Sequence, residues 1–370
     1  MDGGGWKSGT GDWKAGHEIN RCCCPASKVS FFMDEKHRHF FYFLRLGLWG
    51  EADGPCSEGL SEDEWEELFR LSREQAVSGV WVDGVAQTVC RPSERLWAQF
   101  VRQAVHIGQM NLLLQDTEKH WLNLLKEQGI EAEVFKGSSV GSWYRKPLMR
   151  SYGDIDLVVW KGWEKLADCL HANGYQDWRA GESLFDGRVT VEWHPCREKV
   201  CNPWVDSRLQ RMLATDRRGL ELYVACLILH LRRHVLSYGI GLKQVCDVAV
   251  MIRRAPMDRS RLAAVLRDLH VETFSCILFG LIERWMGSGF CFPLPPRRGK
   301  TVDLLERVVF GEGYHLKRER EALSARRRMP GRVLGNACFW IRRAVRLCRL
   351  VPGESFFFIY AKCRERIGRL

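Results

Sequence analysis

The run Asp154-Ile155-Asp156-Leu157-Val158-Val159 puts two carboxylates two residues apart at the head of an apolar stretch. On a strand the side-chain period of two turns both to the same face. Like charges held this close repel unless a cation lies between them, and hard divalent cations, magnesium first, prefer oxygen ligands. A lone Asp-x-Asp occurs in many loops and strand ends, so its surroundings decide its meaning. About 16 residues upstream, Gly137-Ser138 follows an apolar strand pattern. Glycine lets a backbone approach phosphates there and the hydroxyl can donate to one. About 36 residues downstream of Asp156, Glu192 sits in Val189-Thr190-Val191-Glu192-Trp193, a strand pattern that can present a third carboxylate beside the pair.

Other residues supply charge to the same place. Lys136 and Arg150 could neutralise developing negative charge, or act as a solvated strand-end lysine and as an ion pair that orders the loop before the aspartates. His194 follows Glu192 by two, so a continuous strand would give both one face, although a histidine satisfied in the turn before Pro195 is an equal alternative. His230 and His234 stand at i and i+4 on a helix, a spacing that can bind zinc, but no third soft ligand is evident and Asp247 is distant in sequence.

In order and type these parts resemble the polymerase-beta-like nucleotidyltransferase superfamily: an apolar residue, Gly and Ser, then Asp-x-Asp, then an acidic residue on a later strand. They are similar, more closely, to a bacterial family of uncharacterised nucleotidyltransferases through Phe135-Lys136-Gly137, Tyr144, Pro147-Leu148-Met149-Arg150 and Gly153-Asp154-Ile155-Asp156-Leu157. Glu192-Trp193-His194 looks like that family's acidic-x-His element, and His230, His234 and Asp247 look like its helical signature. The gap from Ser138 to Asp154 is slightly longer than in the superfamily's general pattern, and no substrate-defining motif is present.

The resemblance implies attack of an acceptor hydroxyl on the α-phosphorus of a nucleoside triphosphate, with loss of pyrophosphate. It assigns Asp154, Asp156 and Glu192 to two magnesium ions, with manganese as the alternative. Gly137 and Ser138 fall on the β- and γ-phosphates, and Lys136, Arg150 and His194 among the nucleotide-binding residues. The acceptor, whether small molecule, protein or RNA, is left open. A second reading is a non-catalytic accessory protein that keeps the fold; a missing carboxylate would favour it, and all three are present.

Positioning these residues requires a small α/β unit. Glu133-Val134-Phe135 reads as a strand, Ser139 to Tyr144 as a helix, Ile155 to Trp160 as a strand, Trp163 to Asn173 as a helix and Arg188 to Trp193 as a strand. Before it, Ser61-Glu62-Asp63-Glu64 opens a helix like a capping box, and a long amphipathic run covers Ser93 to Gln128. After Asp206 the periodicity is helical, clearest over Leu220 to Leu236, with Pro293 to Pro296 as a linker. The expected class is α+β, a small mixed-sheet core flanked by helical regions. Its units are a tail or extension over 1–35, helices over 36–128, the core over 129–205 and helices over 206–370.

At 370 residues the chain can bury a sizeable core, and no run of 18 uncharged apolar residues could span a bilayer. The Gly-rich start, with Cys22-Cys23-Cys24-Pro25, lacks a buried face and the apolar run of a secretory signal. It is therefore read as disordered, with Met33 a possible true start and a cytoplasmic location expected. The 15 cysteines are scattered through apolar segments, as Cys169, Cys226, Cys246 and Cys276 are, and so most read as buried thiols rather than a disulfide scaffold. The net charge of +11 concentrates in residues 297–370, with 19 Lys plus Arg against 7 Asp plus Glu. Such a tail can attract RNA or an anionic membrane surface, or can simply be a solvated helix face.

Overall fold

The computed structural model describes residues 35–52, 59–151, 153–176, 178–179, 182–237, 239–312 and 339–367. The segment before Glu35, expected to be a disordered extension, and residues 313–338 of the basic tail lie outside the described residues. Four helices lead: α1 (Glu35–Trp49), α2 (Glu62–Glu74), α3 (Ser78–Ala86) and α4 (Glu94–Glu127). The capping box is present. Ser61 Oγ accepts from the Glu64 amide while the Glu64 carboxylate accepts from the Ser61 amide at 2.8 Å, so two orphan donors of α2 are satisfied. Ser93 caps α4, whose 34 residues reach about 50 Å. Its first half buries Phe100 against Trp65, Phe69 and Trp81, and its second half lies along the sheet.

The sheet has four strands: β1 (Glu131–Val134), β2 (Ile155–Lys161), β3 (Leu184–Phe185) and β4 (Thr190–His194), in the order β1-β2-β4-β3. β1 and β3 run antiparallel to their neighbours while β2 and β4 are parallel, so the sheet is mixed. α5 (Gly137–Gly141) and a single 3-10 turn at Pro147–Met149 connect β1 to β2, and α6 (Trp163–Ala172) follows β2. The two-residue β3 is too short to leave a pattern in the sequence. Helices then fill the second half: α7 (Pro203–Asp216), α8 (Leu220–Leu236), α9 (Leu242–Arg254), α10 (Arg259–Asp268), α11 (Glu272–Met286), α12 (Lys300–Arg307) and a last helix, Pro352–Ile367. Among the described residues no helix is long and apolar enough to cross a membrane. Cys169, Cys226, Cys246 and Cys276 are buried free thiols.

Strand alternation divides the sheet residues between two environments. Ile155, Leu157 and Val159 of β2, with Val191 and Trp193 of β4, pack on Leu114, Trp121 and Leu125 of α4 and on Leu166 and Leu170 of α6. The opposite face carries Asp156, Glu192 and His194, and its apolar member Val158 joins the larger core built by the C-terminal helices. The polar residues of the sheet therefore lie on the side of the helical body.

A buried ion pair ties these layers together. Arg150, at the end of the Pro147–Met149 turn, donates from Nε and Nη2 to the two oxygens of Asp247 on α9 at 2.7 and 2.6 Å, and Tyr144 Oη donates to Asp247 Oδ1 at 2.7 Å. Burial and the Asp247 charge push the Tyr144 phenol well up, which keeps it a donor. Asn111 of α4 closes the other side, donating to the carbonyls of Leu148 and Arg150 at 2.5 and 2.8 Å. The loop that precedes the aspartates is thus fastened to α4 and α9. Removing one member strands a charge in the interior, so Arg150→Met or Asp247→Leu alone is expected to cost about 3–5 kcal/mol in chemical denaturation, and the double substitution should recover much of that loss. Additive losses in the double-mutant cycle would show that the pair is not what holds the loop.

Candidate active site

The turn after β1 departs from ordinary backbone. Lys136 adopts φ 65° and ψ −135°, a region left almost entirely to glycine, and Gly137 follows at φ 43°. Such a conformation costs about 1–3 kcal/mol and persists only where its surroundings impose it. Here Tyr223 of α8 does so. Its hydroxyl accepts from the Lys136 amide at 2.9 Å and lies 2.6 Å from Ser139 Oγ, which donates to the Lys136 carbonyl at 2.7 Å. Burial pushes the Tyr223 phenol up to about 12. Ser138 Oγ donates to Glu118 of α4 at 2.5 Å, and a Cβ at residue 137 would lie 3.4 Å from the same carboxylate. Burial raises the Glu118 carboxyl above its usual range, against the pull of the Ser138 hydrogen bond.

The paired register of β2 and β4 sets Asp156 beside Glu192, and the period of two adds His194 to the same face. His194 Nε2 lies 2.9 Å from Asp156 Oδ1 and 3.6 Å from Glu192 Oε2, and Lys136 Nζ lies 3.2 Å from Asp156 Oδ1. Asp156 is buried, which opposes its charge, yet the Lys136 ammonium and His194 hold its carboxyl below the usual carboxylate range. The repulsion expected between close acids appears instead on Glu192, which burial and then the Asp154 and Asp156 charges push up. Asp154 itself is exposed at the bend just before β2. Among the described residues, the set whose ligand atoms all lie within 4.8 Å of one another is Asp156, Glu192 and His194.

Beside this set opens a pocket of about 380 Å³, lined among others by Lys136, Glu192, His194, Glu198, His230 and Arg233. Glu198 is buried and accepts from His230 Nδ1 at 2.8 Å and from Arg233 Nε at 2.9 Å. Burial drives His230 well below its ordinary value and His234 down to about 2, so both rings are neutral near pH 7. The rings of His230 and His234 lie 4.3 Å apart and tilted by 47°, and His230 turns one nitrogen to a carboxylate rather than joining the Asp156 set. Of the two roles that the sequence leaves open for Arg150, charge neutralisation at the nucleotide and an ion pair that orders the loop, the structure shows the ion pair. Its guanidinium is buried against Asp247, so its part is to order the loop.

Sequence reading missed Glu118, Tyr223 and Glu198. A carboxylate inside an amphipathic helix reads as solvent-facing, and a tyrosine in an apolar stripe reads as core. One signal was available in α4, where Asn111 and Glu118 stand two turns apart and both interrupt the buried face.

Because Glu192 is less willing to carry charge in the folded protein than in the unfolded chain, its ionisation destabilises the metal-free fold. Its relative contribution is intact below the ordinary glutamate range, about pH 4.3, and is lost as pH rises through its elevated folded value. Glu192→Gln should therefore raise the melting temperature of chelator-treated protein at pH 7 to 8, with the gain vanishing below about pH 4. A loss at neutral pH would contradict the repulsion inferred here.

The model of a family described as an uncharacterised nucleotidyltransferase matches residues 61–287, from the start of α2 to the end of α11. No curated protein and no solved structure matches the chain. The family match takes in the Lys136-Gly137-Ser138 turn, β2, β4 and the Arg150–Asp247 pair, and it covers more than half of the sequence. The chain belongs to this family of nucleotidyltransferases.

Proposed function

We propose that the protein is a metal-dependent nucleotidyltransferase that moves a nucleoside monophosphate from a nucleoside triphosphate to an acceptor hydroxyl and releases pyrophosphate. The observation that carries this reading is the in-register pair of Asp156 and Glu192 on adjacent parallel strands, with the Lys136-Gly137-Ser138 turn beside it. Two carboxylates and an imidazole within 4.8 Å are a donor set suited to a divalent cation. Asp156, Glu192 and the exposed Asp154 would hold magnesium or manganese, which would supply Lewis-acid polarisation of the reacting phosphate.

The chain's own groups account for the rest. Gly137 brings backbone close to the β- and γ-phosphates, and Ser138 exchanges its bond to Glu118 for one to phosphate. Lys136 already rests on a carboxylate and can turn its ammonium to the triphosphate as charge develops there. Glu192 stands in register beside Asp156 on the neighbouring strand, a position from which it can take the proton of the acceptor hydroxyl as the new phosphorus–oxygen bond forms and pyrophosphate departs. The pocket beside it, lined by Glu198, His230 and Arg233, has the polar walls and the position for an acceptor group.

Incubating the protein with each α-labelled nucleoside triphosphate, a divalent cation and cell extract should move label into RNA, protein or a small metabolite. Asp156→Asn should abolish transfer by orders of magnitude. It should also lower the melting temperature of metal-free protein above about pH 4, because a carboxylate held below its usual range lends stability once ionised and loses it on acidification. Transfer that survives Asp156→Asn would sink the proposal.

A further inference from the structure

We infer that His194 donates its imidazole nitrogen to the cation held by Asp156 and Glu192, so that the centre prefers a divalent transition ion such as Mn2+ to Mg2+. The inference rests on the carboxylate centre proposed above and goes further, to the nature of the ion.

An octahedral ion with bonds of about 2.1 Å sets neighbouring ligand atoms about 3 Å apart and opposite ones about 4.2 Å apart. His194 Nε2 stands 2.9 Å from Asp156 Oδ1, the spacing of neighbouring ligands, and 3.6 Å from Glu192 Oε2, between the neighbouring and opposite spacings, and the ligand atoms of all three residues lie within 4.8 Å of one another. The strand geometry produces this. β4 turns Glu192 and His194 to the same face, and its register with β2 sets that face beside Asp156. Without a cation, the close approach is satisfied by an Nε2–H donated to Asp156. Ligation requires the other tautomer, with the proton on Nδ1 and the Nε2 lone pair free.

The ring is only one-third exposed and lines the pocket with Lys136 and Glu192. His230 is already committed, because its Nδ1 is held by Glu198. One imidazole among oxygen donors changes selectivity: Mg2+ takes oxygen donors and gains little from nitrogen, whereas a first-row transition ion such as Mn2+ accepts imidazole beside carboxylates.

Pulsed EPR of Mn2+ added to the full-length protein tests this directly, through the modulation that a directly bound imidazole nitrogen imposes on the manganese signal. Wild type and His230→Gln should both show it, and His194→Gln should lose it. His194→Gln should weaken Mn2+ binding by roughly tenfold or more, on the scale of losing even a supporting ligand contact. Mg2+ binding measured by calorimetry should change by less than about threefold, so that the preference for Mn2+ shrinks. If Mn2+ binds the wild type without nitrogen modulation, or the modulation persists in His194→Gln, His194 is only a hydrogen-bond partner of Asp156 and the inference falls while the carboxylate centre stands. If Asp156→Asn leaves Mn2+ binding intact, the cation lies elsewhere and the proposed function falls with it. Wild-type protein alone decides the first point, so poor folding of a variant cannot rescue the inference.

Discussion

The bond between Arg150 and Asp247 is the constraint on which the site depends. A guanidinium and a carboxylate buried together cost several kcal/mol each in lost hydration, and only near-ideal two-point geometry offsets that cost. Here the geometry is completed by Tyr144 on the acid and by Asn111 on the backbone carbonyl of the arginine. Four residues from three separate stretches of chain converge, and what they hold is the short loop leading into β2. The loop that leads to the aspartates is thus held by contacts that involve neither of them.

A second dependence is electrostatic. Asp156 is buried in a place that ought to discharge it, yet Lys136 and His194 keep it ionised, and Lys136 does so from a backbone conformation that Tyr223 and Ser139 impose. The lysine supplies positive charge where the carboxylates need it, and Glu192 takes the residual repulsion as a raised proton affinity. One acid kept charged and its neighbour kept reluctant are two roles made from similar side chains by surroundings alone.

How much of this was legible in the sequence follows from how local each signal is. The strands around Ile155 and Val191, the capping box at Ser61 and the long helix α4 are written in periods of two and in helical spacing, which need only a few neighbouring residues to read. The convergence of Asp156 and Glu192 needed one further step, the pairing of two strands, and alternation narrowed that to two faces. The partner of Arg150 was out of reach, because nothing near position 150 says that its counter-charge lies 97 residues on. Sequence reading could therefore offer an ion pair for the guanidinium only as one of two roles and could not name its partner. Glu118 and Glu198 were hidden differently, since acids on helices and in loops are ordinarily solvated and these two are drawn inward by Ser138, His230 and Arg233.

The parallel pairing of β2 with β4 has one more consequence. β4 alternates polar and apolar residues, and a slip of a single position would bring Trp193 or Val191 where Glu192 now stands. Such a slip would not yield a weaker centre. It would yield none, and it would push a carboxylate into the apolar layer against α4 and α6 at a cost no short strand can bear. The two acids therefore mark the register of the fold: the cation proposed for them could be gathered by Asp156 and Glu192 only in a molecule whose sheet is in the correct alignment.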